Sequence, residues 1–331
     1  MASSVSIYVI ILVAISTLLN SLSIGVLYRE LKKNTKSIRH ALLLSLAVSD
    51  ICTGIIGFPL EMFQLSTESC IAAGYLVTLF SLVSITHMCA LAVERCLSIA
   101  RPFLSMSLSE KRSYFAGMIS VCWFYGTLWA TLPMTGWGAY GFESRTNHRC
   151  SIVITTRDSN IMSYNYALLV FCYVIPIIVM VVSLMIAKRA MLGMVHRIQT
   201  ATGKNSKQSN LTAKQERLFT IVVLVMLASF VTAWTPYAIC VFLASIDVHV
   251  SAVALDVSAY LGKSAIIHNP IIYVFLYKQF RVGLLRVLLV CLRIDVNSVY
   301  PMTESQYTNT IMQTANKPTN DNSAVVINNI Q

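Results

Sequence analysis

The chain has 331 residues, 56% of them hydrophobic and only 12% charged, with a formal net charge of +11. A soluble domain usually carries about 25% charged residues, so this composition argues against a soluble enzyme and for a protein that crosses a membrane several times. The positive charge alone would also suit a nucleic-acid partner, but its distribution, given below, speaks against one.

Seven apolar runs are expected to span, at residues 7–28, 41–65, 71–93, 114–135, 161–187, 218–244 and 253–276. Each reaches the ~20 residues that a helix needs to cross hydrocarbon. The runs are continuous and not alternating, which favours helices over a barrel. The expected fold class is therefore an all-α membrane protein, a seven-transmembrane helix bundle. The first run begins almost at Met1, lacks a basic stretch before it, and is too long for a signal-peptide core, so it is read as an uncleaved helix. It contains Asn20, and five basic residues follow it. The second run holds "LAVSD" (46–50) and, further along, "GFPLEMF" with Phe58, Pro59 and Glu61. The third starts at Cys70 and ends in "ERC" (94–96); the fourth holds Trp123. The fifth holds Pro176, the sixth "WTP" (234–236), and the seventh "NPIIY" (269–273) after an isolated Lys263.

With the N-terminus outside, 21 of the 25 Lys and Arg fall on the inner side and three (Arg145, Arg149, Arg157) on the outer side, the last being Lys263. The positive-inside rule thus sets the N-terminus outside; the expected location of this multi-pass protein is the plasma membrane, with that terminus extracellular. Of nine cysteines, only Cys70 and Cys150 lie on the outer side. That side is oxidising, so the two are expected to pair, two free thiols being the alternative. The third inner loop, about 188–216, includes "TGKNSKQSN" and is expected to be a mobile connection. After the last span, 278–293 reads as a short amphipathic helix on the inner leaflet, where Cys291 is either palmitoylated or a plain thiol. The receptor domain would then be 1–293, and the polar segment 294–331 a disordered cytoplasmic tail.

Taken in order, one per span, these motifs resemble the rhodopsin-like G protein-coupled receptors over residues 10–293. Lys263 lies six residues before Asn269, and "KSAIIHNPIIY" resembles the opsin version of that segment. The resemblance implies that Lys263 forms an imine with retinal (11-cis-retinal or another isomer). The chemistry of the residue agrees. A charged lysine at such depth costs ~3 kcal/mol or more, so it should find a partner or lose its proton, and a neutral lysine attacks aldehydes. The plain alternative is a lysine paired to a carboxylate or facing water.

A retinal imine holds its proton in an apolar pocket only beside a carboxylate. Many vertebrate visual opsins have a glutamate three residues after the span-three cysteine; Ala73 stands there in this chain. Three acids can replace it. Glu61 ranks first: it is eleven residues outward of Asp50, ~16 Å along a helix, and Lys263 is six outward of Asn269, ~9 Å. In the family Asp50 and Asn269 lie at similar depth, and Pro59 can swing Glu61 inward. Some cnidarian opsins resemble this arrangement. Glu143 ranks second, since it resembles the loop glutamate of many invertebrate opsins. Asp256 ranks last.

The resemblance further implies that Trp234, Tyr237 and Phe58 line the pocket, with Tyr75 beside them. It implies an inner switch of Glu94, Arg95 and Glu216, with Asp50 in span two and Asn269, Pro270 and Tyr273 in span seven. Three departures from the family pattern are Cys96, Leu184 and Ala233. The partners implied are a heterotrimeric G protein, with the stimulatory type (Gs) favoured, membrane lipid, and a receptor kinase and arrestin acting on Ser298, Thr303, Ser305, Thr308 and Thr310. No catalytic residue, metal site or nucleic-acid partner is expected. The rivals are a retinal photoisomerase of the same fold, a chemical-ligand receptor, and a transporter; the last is disfavoured because the chain shows no repeated halves.

Overall fold

The computed structural model describes residues 2–35, 37–62, 66–142, 149–154, 158–202, 207–246, 248–276 and 278–291. The chain divides into two units, Met1–Leu284 and Leu285–Gln331, and the following concerns the first. "Outer" denotes the side of Cys70 and "inner" the side of Arg95.

Among the described residues, six helices are long and apolar enough to cross a membrane: Ser6–Lys33, Ile38–Glu61, Thr67–Ala100, Ser113–Thr135, Ser159–Gly193 and Glu216–Ser245. The seventh span is built in two pieces, Ala252–Lys263 and Ala265–Leu276, which meet at Ser264. Span three packs against spans two, four, five and six, so it forms the axis of the bundle. Large apolar residues such as Val121 (66% exposed) and Phe124 (68%) point outward along spans that hydrocarbon would cover.

Four prolines shape these helices. Proline has no N–H and cannot close the bond to the fourth residue before it. Span two widens into a π-turn at Thr53–Gly57 just before Pro59, and span five does the same at Val170–Val174 before Pro176. Pro236 lies inside span six. In span seven Pro270 leaves the Ile266 carbonyl without its helical donor. Asn20 of span one supplies one instead, with Nδ2 donating to that oxygen at 2.9 Å. A further interhelical link runs from Trp123 Nε1 to Ser45 Oγ (3.0 Å), with His87 Nε2 2.9 Å from the same hydroxyl. His87 Nδ1 lies 2.8 Å from the Val83 carbonyl and must donate to it, so Ser45 donates to Nε2 of the neutral ring.

Span three starts in a capping box: Ser66 Oγ accepts from the Ser69 N–H and Ser69 Oγ from the Ser66 N–H. That cap fixes the first turn, from which Cys70 bonds to Cys150. Cys150–Ile152 pairs antiparallel with Tyr140–Phe142, Phe142 opposite Cys150. The architecture is thus not wholly helical: a two-stranded hairpin sits on the outer side.

The inner side departs from expectation at the third loop. Most of the segment read as a mobile connection is helix, because Ile175–Thr202 and Lys207–Ser245 carry spans five and six well past the apolar runs. The Ala, Met, Lys, Arg and Gln residues there are strong helix formers, and helix needs no hydrocarbon around it. A further helix, Pro102–Ser109, opens on a proline at its first position. The segment after span seven is helical over Lys278–Cys291. Arg281 donates to the carbonyls of Phe275 (2.8 Å) and Val274 (3.2 Å), capping the end of span seven. Residues 294–331, with the five tail hydroxyls, lie outside the described residues.

Candidate retinal-type pocket and inner switch

Lys263 ends the outer half of span seven and is 7% exposed. Its Nζ donates to Glu61 Oε2 in a buried ion pair. The ring centroids of Phe58 and Tyr260 each lie 5.2 Å from Nζ. Glu61 Oε1 has no hydrogen-bond partner among the described residues. The π-turn Thr53–Gly57 suits this meeting: it takes up one extra residue within span two, so Phe58–Met62 keeps the orientation that brings Glu61 to Lys263.

Of the other acids, Asp256 Oδ1 faces NH1 of Arg149, the residue before Cys150 on the hairpin side, at 3.2 Å. Glu143 lies outside the described residues. Tyr260 was not singled out in the sequence, although it stands one turn before Lys263 on the same helical face.

Glu61 and Lys263 lie at one edge of a cavity between spans three, five, six and seven. Its wall is chiefly apolar, including Val77, Leu82, Ile85, Leu168 and Phe230. Trp234 and Tyr237 line it, and Phe58 lies beside Lys263 on a smaller cavity further in. Tyr75 stacks edge-on against Tyr140 of the hairpin, with centroids 6.4 Å apart. Trp234 packs over Gly262: a side-chain carbon on that glycine would sit 3.1–3.2 Å from the indole. Cys150, Ser151 and Ile152 close the outer side, and Ser151 Oγ lies 3.1 Å from Tyr237 Oη.

The smaller cavity runs from Lys263 past Trp234 and His268 to Asp50 and Asn269. Asn269 Nδ2 donates to Asp50 Oδ2 (3.0 Å) and Ser84 Oγ to Oδ1 (2.9 Å). His268 bridges spans six and seven. Its Nδ1 is 2.7 Å from Ser229 Oγ and its Nε2 3.2 Å from Ser264 Oγ. Ser264 spends its one proton on the Leu261 carbonyl (2.6 Å), so it accepts from Nε2–H, and Ser229 donates to Nδ1. The Tyr273 hydroxyl is buried and has no partner among the described residues; its ring lies 5.4 Å from Phe280.

At the inner end, Arg95 is fully buried. It forks onto Glu94 through Nε (2.7 Å) and NH2 (2.6 Å), and donates through NH1 to Glu216 Oε2. Spans three and six are thereby joined. Arg39, known from the sequence only as one of the inner basic residues, reaches the same carboxylates: NH2 donates to Glu216 Oε1 at 2.8 Å, and Nε lies 3.6 Å from Glu94 Oε1. Leu184 in span five and Ala233 beside Trp234 in span six are buried apolar side chains with no hydroxyl or thiol.

A seven-helix bundle with an amine at an apolar cavity and an ion-paired cluster at the inner end is the architecture of a membrane receptor for a small ligand. Residues 19–273 match the model of the "7 transmembrane receptor (rhodopsin family)". The chain is 30% identical to pinopsin of Columba livia over 298 residues, 86% of this chain and 80% of that protein. It is 29% identical to green-sensitive opsin-1 of Psalidodon fasciatus, over 83% of this chain and 77% of the relative. The crystal structure of squid rhodopsin superposes with a TM-score of 0.78 at 22% identity, covering 95% of this chain and 91% of that one, a likeness of fold. The chain belongs to the rhodopsin family of seven-transmembrane receptors, within its opsins. That family is one of receptors and not of enzymes.

Proposed function

We propose that this opsin senses light through retinal carried on Lys263 Nζ, and that Glu61 is the carboxylate that keeps the proton there. The observation that carries the reading is the buried Lys263–Glu61 pair at the edge of an apolar cavity. The residues suit the group: the wall accepts a hydrocarbon chain, and the unpartnered Glu61 Oε1 leaves acceptor capacity on the cation's side. Bound through Nζ, retinal supplies absorption of light and a change of shape on isomerisation. Glu61 holds the proton on Nζ, since an opposite charge in a low-dielectric site favours the charged form. Phe58 and Tyr260 flank the cation with their ring faces and exclude water. Trp234 and Tyr237 line the span-six wall, where a change of ligand shape presses on span six.

The switch is read as Glu94, Arg95 and Glu216 holding spans three and six together in the dark. Asp50, Asn269, Pro270 and Tyr273 then pass the change inward, and Tyr273 turns toward the space span six leaves. The exposed Phe103, Leu104 and Met106 on the inner helix, with the basic inner rim, offer a docking face for a heterotrimeric G protein, of the stimulatory type in this proposal. A receptor kinase and arrestin would act on the tail. An extracellular N-terminus in the plasma membrane completes the proposal.

Reconstitution with 11-cis-retinal tests it. The wild-type chain is expected to give a visible pigment and Lys263→Ala none. Glu61→Gln should move the dark absorption from the visible to the ultraviolet at neutral pH. A visible Glu61→Gln pigment beside an ultraviolet Glu143→Gln pigment would transfer the role to Glu143. Light-driven nucleotide exchange on the stimulatory G protein separates a receptor from a photoisomerase.

A further inference from the structure

Glu216 is held from two sides. Each of its carboxylate oxygens takes a different arginine: Oε2 from Arg95 of span three, and Oε1 from Arg39 in the first turn of span two, at 2.8 Å. Arg39 Nε also lies 3.6 Å from Glu94 Oε1. Both guanidiniums lie over the ring of Phe219, at 4.6 Å for Arg95 and 5.5 Å for Arg39. Two carboxylates and two guanidiniums therefore close a neutral cluster around one aromatic ring. Span six contributes Glu216 and Phe219, one turn apart, so the same turn of span six meets both arginines.

We infer that Arg39 is a second clamp on span six, tying it to span two independently of Arg95. The inference rests on the proposed light-driven opening of span six. Release of Arg95 alone leaves Glu216 bonded to span two, so the closed state survives partial disruption of the first clamp. The part suits arginine and not lysine. A planar fork can face Glu216, approach Glu94 and stack on Phe219 at once, whereas an ammonium is a single point charge. Arg39 is 30% exposed on its side chain, against 0% for Arg95, which places it at the edge where the cluster would begin to open.

The test uses the full chain with 11-cis-retinal, in Arg39→Gln, Arg39→Lys, Glu216→Gln and Arg39→Gln/Glu216→Gln forms. The absorption spectrum of Arg39→Gln should match wild type, because the substitution lies at the opposite end of the bundle from Lys263. Dark nucleotide exchange by the G protein should rise about two- to fivefold in Arg39→Gln, the effect of losing one partly exposed ion pair. Arg39→Lys should recover part of that rise. The double variant should equal Glu216→Gln, since Arg39 acts through that carboxylate. Amide hydrogen exchange over 216–222 should be faster in Arg39→Gln with or without retinal. Wild-type dark exchange in Arg39→Gln, or a rise that adds in full to that of Glu216→Gln, overturns the inference. If wild type shows no light response, the proposed function fails, and the hydrogen-exchange comparison in retinal-free protein still decides the clamp: unchanged rates over 216–222 overturn it.

Discussion

Asn20 Nδ2 donates to the Ile266 carbonyl that Pro270 strands, and to the Ser16 carbonyl at 3.0 Å. A single side chain thus repairs a helix defect 246 residues away in sequence and ties span one to span seven. Asn20→Ala removes the donor and leaves a buried carbonyl unsatisfied, which costs ~1–3 kcal/mol. The expected outcome is an earlier thermal loss of the dark pigment with its absorption maximum unmoved, read from melting followed at that maximum. A shifted maximum would mean that Asn20 acts on Lys263 as well as on the backbone beside it. Arg39 shows the limit of residue-level reading in sequence. It was visible only as one basic residue among five in the first inner connection, and nothing local signals a partner 177 residues on. Glu61 and Lys263 are 202 residues apart, yet their pairing was legible. Both can be measured along their helices from family landmarks at common depth.

At the scale of helices, the π-turn Thr53–Gly57 sets the direction of Glu61. A π-turn amounts to one extra residue in an α-helix, so deleting one residue within it restores a regular helix with both flanks in their original orientation. Deletion of the exposed Ile55 should therefore keep Glu61 on Lys263 and keep the pigment visible. Inserting one alanine between Gly57 and Phe58 should instead turn Phe58–Met62 by about 100° and move the absorption to the ultraviolet. The pair of spectra checks it: a visible pigment in the insertion variant would show that the π-turn does not aim the acid. The sequence signalled a distortion through Pro59 but not its kind, because a proline is compatible with a kink, a π-turn or a helix end. The span positions were legible because hydrophobicity and charge decide them. The inner helical extensions and Pro102–Ser109 were not, since outside hydrocarbon the choice between helix and loop rests on weak propensities. The break at Ser264 likewise has no local marker beyond a proline six residues later.

Over the whole molecule, the outer hairpin joins elements that the helices alone leave separate. Its disulfide fixes it to span three, Tyr140 Oη donates to the Ala130 carbonyl at the end of span four (2.8 Å), and Asn165 of span five donates to the Val153 carbonyl (3.0 Å). Ser151 meets Tyr237 of span six, and Arg149 meets Asp256 of span seven. Each polar link is part-buried and modest, so the covalent bond to span three determines how often the cover lifts. A crosslink across 80 residues is worth ~2–4 kcal/mol against the open chain. Only the part expressed in local opening bears on the pocket, and about 1.4 kcal/mol of it changes an opening equilibrium tenfold. The Cys70→Ala/Cys150→Ala variant is therefore expected to lose its dark pigment to hydroxylamine, which cleaves retinal imines, about tenfold faster than wild type. Hydroxylamine bleaching followed in the dark at the absorption maximum measures this directly. If the rates match while thermal stability falls, the disulfide serves folding alone, and access to Lys263 runs between the helices, past the membrane-facing side of spans five and six.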